Sequence, residues 1–294
     1  VKPLRATQLP KLRADILTEF DRSVDYCADA LEFARTVGVN NLHPDDLAEL
    51  PTITSLALSI DIQSAGISTG DMWWVSADMA TLAVDTAIDD MELPALPELQ
   101  PGEAGGLIYF QGGITIQLGP TATAIDALTW APYHGAQTGI AVWQRTEHGV
   151  RSIGLDAMGV DAHTTAEFLG RLAIATTLLA GETTVAEARQ ATFARDGDPR
   201  DTRNRPVPGV TVINVRPRPN PTRGPNGEPV TGEREYTHRW IVRGHMHTYR
   251  HGKGRARTRK RWVAPYVAGP EDKPLIVKEH VWALRGTGAR DRAA

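Results

Sequence analysis

Between residues 11 and 37 the apolar positions Ile16, Phe20, Val24, Cys27, Leu31 and Ala34 recur at steps of three and four. That spacing places them on one face of an amphipathic helix, with Cys27 a buried thiol on its stripe. His43-Pro44-Asp45-Asp46 reads as the start of a short helix, with proline early and acids in the first turn. A second long helix is predicted over 71–91, with Met72, Val75, Met79 and Leu82 on one side and the Trp73-Trp74 pair at its start. After Pro94, Pro97 and Pro101 the pattern shortens. Leu107–Phe110, Ile114–Leu118, Ala127–Trp130 and Gly139–Trp143 are brief runs bounded by turn residues. They predict a small antiparallel meander, to which Arg151–Leu155 adds a strand.

Helical spacing then returns. Thr164 with Glu167 forms a capping box ahead of Phe168, Leu169, Leu172, Ile174, Leu178 and Leu179. Thr184 with Glu187 repeats it and predicts a shorter helix to about Ala194. No solenoid period is present. Beyond Arg195 proline, glycine and arginine dominate, and Pro217–Glu235 reads as a mobile loop. Val210–Val215, Thr237–Arg250, Trp262–Val267 and Leu275–Leu284 predict a C-terminal antiparallel sheet of about four strands, with Gly286–Ala294 frayed. The expected fold is α+β: an acidic body over 1–195 and a basic, β-rich unit over 205–294.

With 294 residues, 41% of them hydrophobic and 23% charged, the chain supports about two packed domains. No run approaches the ~18 apolar residues of a membrane span, and no signal peptide is visible. One cysteine excludes an intrachain disulfide framework and a thiolate zinc site. The expectation is a soluble, cytoplasmic protein. Its formal charge of −3 conceals two opposed halves. Residues 1–200 hold 12 Lys and Arg against 27 Asp and Glu, whereas 201–294 hold 20 against 8. Such asymmetry points to a polyanion partner for the basic half, or to contact between the acidic body and the basic unit.

The chemistry concentrates in Tyr236–Lys278. On one continuous strand, Arg239, Arg243, His245, His247 and Tyr249 share a face, and Trp240, Val242 and Met246 the other. The following segment holds seven basic residues among twelve: Arg250, Lys253, Arg255, Arg257, Arg259, Lys260 and Arg261. Arginine forks suit phosphates, and Trp262 and Tyr266 beyond them are available for base stacking. Two histidines are too few for a zinc site, and no Walker, dinucleotide, kinase or serine-elbow motif occurs. No metal and no cofactor is expected.

His238-Arg239-Trp240-x-Val242-Arg243-Gly244-His245, Ala264-Pro265-x-x-x-Gly269-Pro270 and Pro274-Leu275 resemble the C-terminal signature of a family of uncharacterised actinobacterial and phage proteins, HRWxVRGH…APxxxGPxxxPL. Gly106–Phe110 and Asp126–Trp130 are similar to its upstream part. The chain departs from the family at Met246-His247-Thr248, where Trp-Arg-Asn is usual, and at Tyr266, a frequent histidine. The resemblance implies a common fold and a phage or mobile-element context, and no particular reaction. The leading reading is a nucleic-acid-binding protein, for RNA or single-stranded DNA ahead of duplex because no helix is suited to a major groove. A metal-independent endoribonuclease of toxin type is the alternative, with His245 and His247 as acid and base, Arg239 and Arg243 on the phosphate, and Tyr249 orienting it. A structural or host-protein-interaction role is the third.

Overall fold

Seven strands build one mixed sheet, in the order β5-β4-β3-β2-β1-β7-β6. The computed structural model describes residues 1–37, 53, 60–88, 105–117, 122–133, 137–154, 162–193, 205–216 and 236–276. Strand β1 is Asp71–Val75, β2 Gly106–Gln117, β3 Ala122–Tyr133 and β4 Gln137–Thr146. Strand β5 is Gly149–Ile153, β6 Ala186–Thr192 and β7 Pro206–Val215. β1 runs parallel to both β2 and β7, and the remaining pairs are antiparallel. Helices α1 (Leu9–Val37), α2 (Ala77–Ile88) and α3 (Ala162–Gly181) pack on the sheet, as does a helical segment at 60–69. The fold is therefore α+β. Among the described residues no helix is long and apolar enough to cross a membrane.

Two hydrophobic layers follow from strand alternation. Leu107 and Tyr109 of β2 join Leu12, Ile16 and Phe20 of α1. Ile108 and Phe110 turn the other way, onto Met79 and Leu82 of α2 and Leu169 and Leu172 of α3. A strand covered on both faces can be apolar at every position, which is why the Leu107–Phe110 run is unbroken. The predicted meander is present as β2 to β5. Leu107–Phe110 and Ile114–Gln117 belong to one strand, whose register shifts at a bulge between Tyr109 and Ile114, and Leu118 lies outside the described residues. The bulge aims Gln111, whose Oε1 accepts the Ala77 N–H at 3.2 Å and so caps the start of α2.

The predicted helix over 71–91 is corrected. Residues 71–75 form β1, and the helix begins only at Ala77. Met72, Val75 and Met79 have helical spacing, yet Met72 lies in the α1 layer while Val75 and Met79 lie in the layer between the sheet, α2 and α3. Pairing on both edges overrides the coincidence, and Met-Trp-Trp-Val suits a strand buried on two sides. Ser76 ends it, its hydroxyl oxygen lying 3.4 Å from the Met79 N–H it caps.

The helix expected over 184–194 is also corrected: Ala186–Thr192 is β6, antiparallel to β7. Thr184 donates to Glu182 rather than capping a helix. The exposed Glu187, Arg189 and Gln190 suit a sheet edge.

Val210–Val215, assigned from sequence to the C-terminal unit, lies inside the main sheet as β7, between β1 and β6. Strand pairing thus carries the body through Val215, past the expected boundary at 195–205. The four-stranded C-terminal sheet is replaced by two ribbons. β8 (Trp240–Val242) pairs with β11 (Tyr266–Ala268), and β9 (His245–His251) with β10 (Arg257–Val263). Of the expected strand at Leu275–Leu284, Leu275 forms one isolated bridge to Arg239, and 277–284 lie outside the described residues. The expectations for His43–Asp46, Pro217–Glu235 and Gly286–Ala294 also fall outside them.

Candidate nucleic-acid interface

The base of the basic unit is fastened to α2 by two arginines. Arg239 Nη1 donates to Asp78 Oδ2 at 2.7 Å, and its Nε donates to the Lys273 carbonyl at 2.7 Å. Arg243 Nε lies 4.0 Å from Asp85 Oδ2, and Asp85 is buried within α2. The two acids are seven residues apart, on one face of the helix and about 10 Å along it. Four extended residues from Arg239 to Arg243 span about 13 Å, a fair match. Ile241, Trp262 and Ala264 pack against the α2–α3 core layer beside these contacts. The acidic body and the basic unit therefore meet, as the charge asymmetry suggested, but through the hairpin's base.

Arg239 retains only 18% of its side-chain exposure, and its partner Asp78 36%. Removing the guanidinium leaves the Lys273 carbonyl and Asp78 without their donor. Arg239→Ala is expected to lower stability by about 2 kcal/mol. A double-mutant cycle with Asp78→Ala in urea unfolding should return a coupling of about 1 kcal/mol, since Asp78 remains partly in water. A coupling near zero would show that the pair does not hold the unit.

The continuous strand expected over Thr237–Arg250 is broken at Arg243-Gly244. A Cβ on Gly244 would lie 2.8 Å from Pro265 Cδ and 2.9 Å from the Val263 carbonyl oxygen, so only glycine lets the two chains pass. Gly269 makes a similar approach, at 2.8 Å from the His238 carbonyl. Gly244→Ala should cost about 1–3 kcal/mol by pushing β10 from β9, visible as faster amide exchange over 245–263 with α1 unaffected. Unchanged exchange in the hairpin would refute that packing.

Beyond the break the hairpin stands clear. Every residue of β9 is exposed, and so is β10 through Arg261. The register sets His245 opposite Val263, His247 opposite Arg261, Tyr249 opposite Arg259 and His251 opposite Arg257. Directly opposed residues share a face, so one side of the ribbon carries three histidines, one tyrosine and three arginines. The His245 and His247 rings are 6.1 Å apart, and His247 and Tyr249 4.3 Å. The reverse side carries Met246, Thr248 and Arg250 opposite Trp262, Lys260 and Thr258. Lys253 and Arg255 occupy the tip, where the Arg255 N–H donates to the Gly252 carbonyl at 3.0 Å.

His245, His247 and Tyr249 are thus brought together as expected. Arg239 and Arg243 are not. Both lie before the break and are turned to α2, so the five-residue ribonuclease constellation is not assembled. Arg257, Arg259 and Arg261 stand on the histidine face instead, joined by His251, which the period-two series 245, 247, 249 would have found. Trp262 and Tyr266 are likewise corrected as stacking platforms. Trp262 packs against the core with its indole nitrogen buried, and Tyr266 is half-buried in β11 opposite Val242.

Among the described residues no acid pairs with any hairpin cation, and no group of three or more His, Cys, Asp or Glu is placed to hold a metal ion. Asp272, at the unit's base, titrates below the usual carboxylate range, held there first by its hydrogen bond to Lys273. A groove of about 460 Å³ opens elsewhere, between α1 and the β4–β5 turn. Lys11 pairs there with Asp15 and Arg22 with Glu19, and Arg145 donates to the Lys2 carbonyl.

No protein-family model matches the chain, and no curated protein matches it. Among solved structures, the crystal structure of AcrVA2 is similar over 90% of this chain and 99% of that one, with a TM-score of 0.34 and 10% sequence identity. A likeness at that level carries no argument about fold or function.

Proposed function

We propose that the chain is a nucleic-acid-binding protein, cytoplasmic and of phage or mobile-element type, with the β9–β10 hairpin as its contact surface. The observation that carries this reading is the contrast in how its arginines are used. Arg239 and Arg243 are met by acids of α2, whereas the seven cations from Arg250 to Arg261 meet none among the described residues. Cations held out in water, away from acids, keep their full attraction for phosphate and release its counterions on contact. Histidine, tyrosine and arginine on one face add groups that can hydrogen-bond or stack with bases.

In the ribonuclease reading Arg239 is taken up by Asp78 and Arg243 is drawn toward Asp85, so the cations beside His247 and Tyr249 are Arg261 and Arg259. Among the described residues no hydrogen bond orients His245 or His247 as an acid–base pair requires. Labelled RNA and DNA incubated with the full-length protein in EDTA separate the three readings. Retarded, uncut probes at low salt are the expected result. Cut RNA would install the ribonuclease, and inert probes of every kind would leave the structural or host-interaction role.

A further inference from the structure

We infer that the β9–β10 hairpin is a groove reader: a two-stranded ribbon that enters the major groove of double-stranded DNA. This rests on the nucleic-acid reading above and specifies its partner. Seven paired residues, separated by six rises of about 3.4 Å, give a ribbon about 20 Å long, with strands about 5 Å apart. The major groove of B-DNA, about 12 Å wide and 8.5 Å deep, admits a two-stranded ribbon as readily as a helix. The absence of a groove-sized helix therefore does not disfavour duplex once a free hairpin is present. The hairpin is free over most of its length. It is exposed on both sides through Arg261, and among the described residues Trp262 and Ala264 pack its end against the body.

The two sides are suited to different tasks. On the histidine face, Arg257, Arg259 and Arg261 alternate along β10, about 7 Å from one to the next, close to two base-pair steps. Guanidinium forks match guanine O6 and N7, and neighbouring His247, Tyr249 and His251 offer further donors and acceptors to base edges. The reverse side and the tip hold Arg250, Lys260, Lys253 and Arg255 with Thr248 and Thr258, groups fitted to the flanking phosphates.

The competing partners fit less well. Single strands are held by rows of aromatic platforms, whereas Trp262 packs on the core, Tyr266 is half-buried, and Tyr249 is the one tyrosine or tryptophan exposed on the ribbon. A-form RNA has a major groove too narrow for side chains to read. The acidic body does not forbid approach, because a 20 Å ribbon puts the tip beyond the ~8 Å Debye length at physiological salt.

The test uses the full-length protein at one ionic strength, with fluorescence anisotropy on four probes of a common mixed sequence: duplex DNA, single-stranded DNA, duplex RNA and single-stranded RNA. Duplex DNA is expected to bind at least tenfold more tightly than any of the others. Prior methylation of guanine N7, which lies in the major groove, should interfere with binding, while methylation of adenine N3 in the minor groove should not. Arg259→Lys keeps the charge and loses the fork, so it should erode the advantage of duplex DNA over single strands several-fold. Equal or tighter binding to a single strand or to duplex RNA would overturn the groove reader while the nucleic-acid reading stands. Interference at adenine N3 alone would do the same. No binding to any probe would overturn both.

Discussion

Trp143→Ala is expected to lower the stability of the fold by about 3–5 kcal/mol, the range for a large aromatic side chain removed from a packed core. Trp143 is 1% exposed, on the α1 side of β4. Its indole N–H donates to Thr129 Oγ1 at 2.8 Å, and Thr129 is itself completely buried. Phe20 of α1 meets its ring edge-on, with centroids 4.9 Å apart. Truncation therefore empties a large volume, orphans a buried hydroxyl and removes the aromatic contact that seats α1. A domain stable by about 5–15 kcal/mol would lose a large fraction of its margin. Denaturant unfolding should show a lower midpoint with an unchanged slope. Trp143→Phe should cost less, and adding Thr129→Val to it should recover part of the loss, because the orphaned hydroxyl is then gone. A loss below about 1 kcal/mol for the alanine variant would mean that β4 and α1 are not packed in this way.

Elements whose burial is settled by their own sequence were legible. The α1 stripe declares one apolar face, and the face the structure buries runs through Ile16, Phe20, Cys27 and Ala34. The β2–β5 meander is local, each strand lying beside the next, and its turns mark it. The misread elements take their conformation from distant partners. β1 is a strand because β2 and β7 flank it, and β7 arrives about 140 residues later. β6 is a strand because β7 offers it an edge, although its own residues read as a capped helix. β7 itself seemed to belong with the basic segment that follows it. Its alternating side chains fill the two layers of the body instead, Val212 on the α1 side and Ile213 on the other.

The candidate site divides in the same way. Period-two alternation placed His245, His247 and Tyr249 together correctly, since it is a local property of an extended chain. It failed at Arg239 and Arg243 because it assumed an unbroken strand. Gly244 interrupts that strand where the chain must pass Pro265 closely. Nothing in the local sequence shows that Asp78 and Asp85 wait on α2, 161 and 158 residues away in the chain. Arg239, Arg243, Gly244 and Gly269 fasten and shape the base of the hairpin, and Leu275 bridges to Arg239. Met246, His247 and Thr248 lie on the exposed ribbon beyond it. These residues form the mount, and the ribbon is the surface we assign to the partner.

That division makes the triple variant Arg257→Ala, Arg259→Ala, Arg261→Ala the most informative test of the nucleic-acid reading. The three side chains are exposed, share one face and meet no acid among the described residues, so removing them should leave the fold within about 0.5 kcal/mol of wild type. Each phosphate contact contributes a slope of about −0.9 to log affinity against log salt on duplex DNA. If all three arginines displace counterions, the slope should become shallower by nearly 3. Affinity at low salt should fall by about two to three orders of magnitude, at roughly 1 kcal/mol or more per charge-assisted contact. If the three face the base edges instead, affinity still falls, but the slope shifts less and discrimination among duplex sequences is lost. Arg239→Ala supplies the contrast: it weakens the mount and removes no hairpin cation, so in the folded protein its salt slope should match wild type. A folded triple variant that binds as tightly as wild type, with the same slope, would show that this face of the hairpin does not meet nucleic acid.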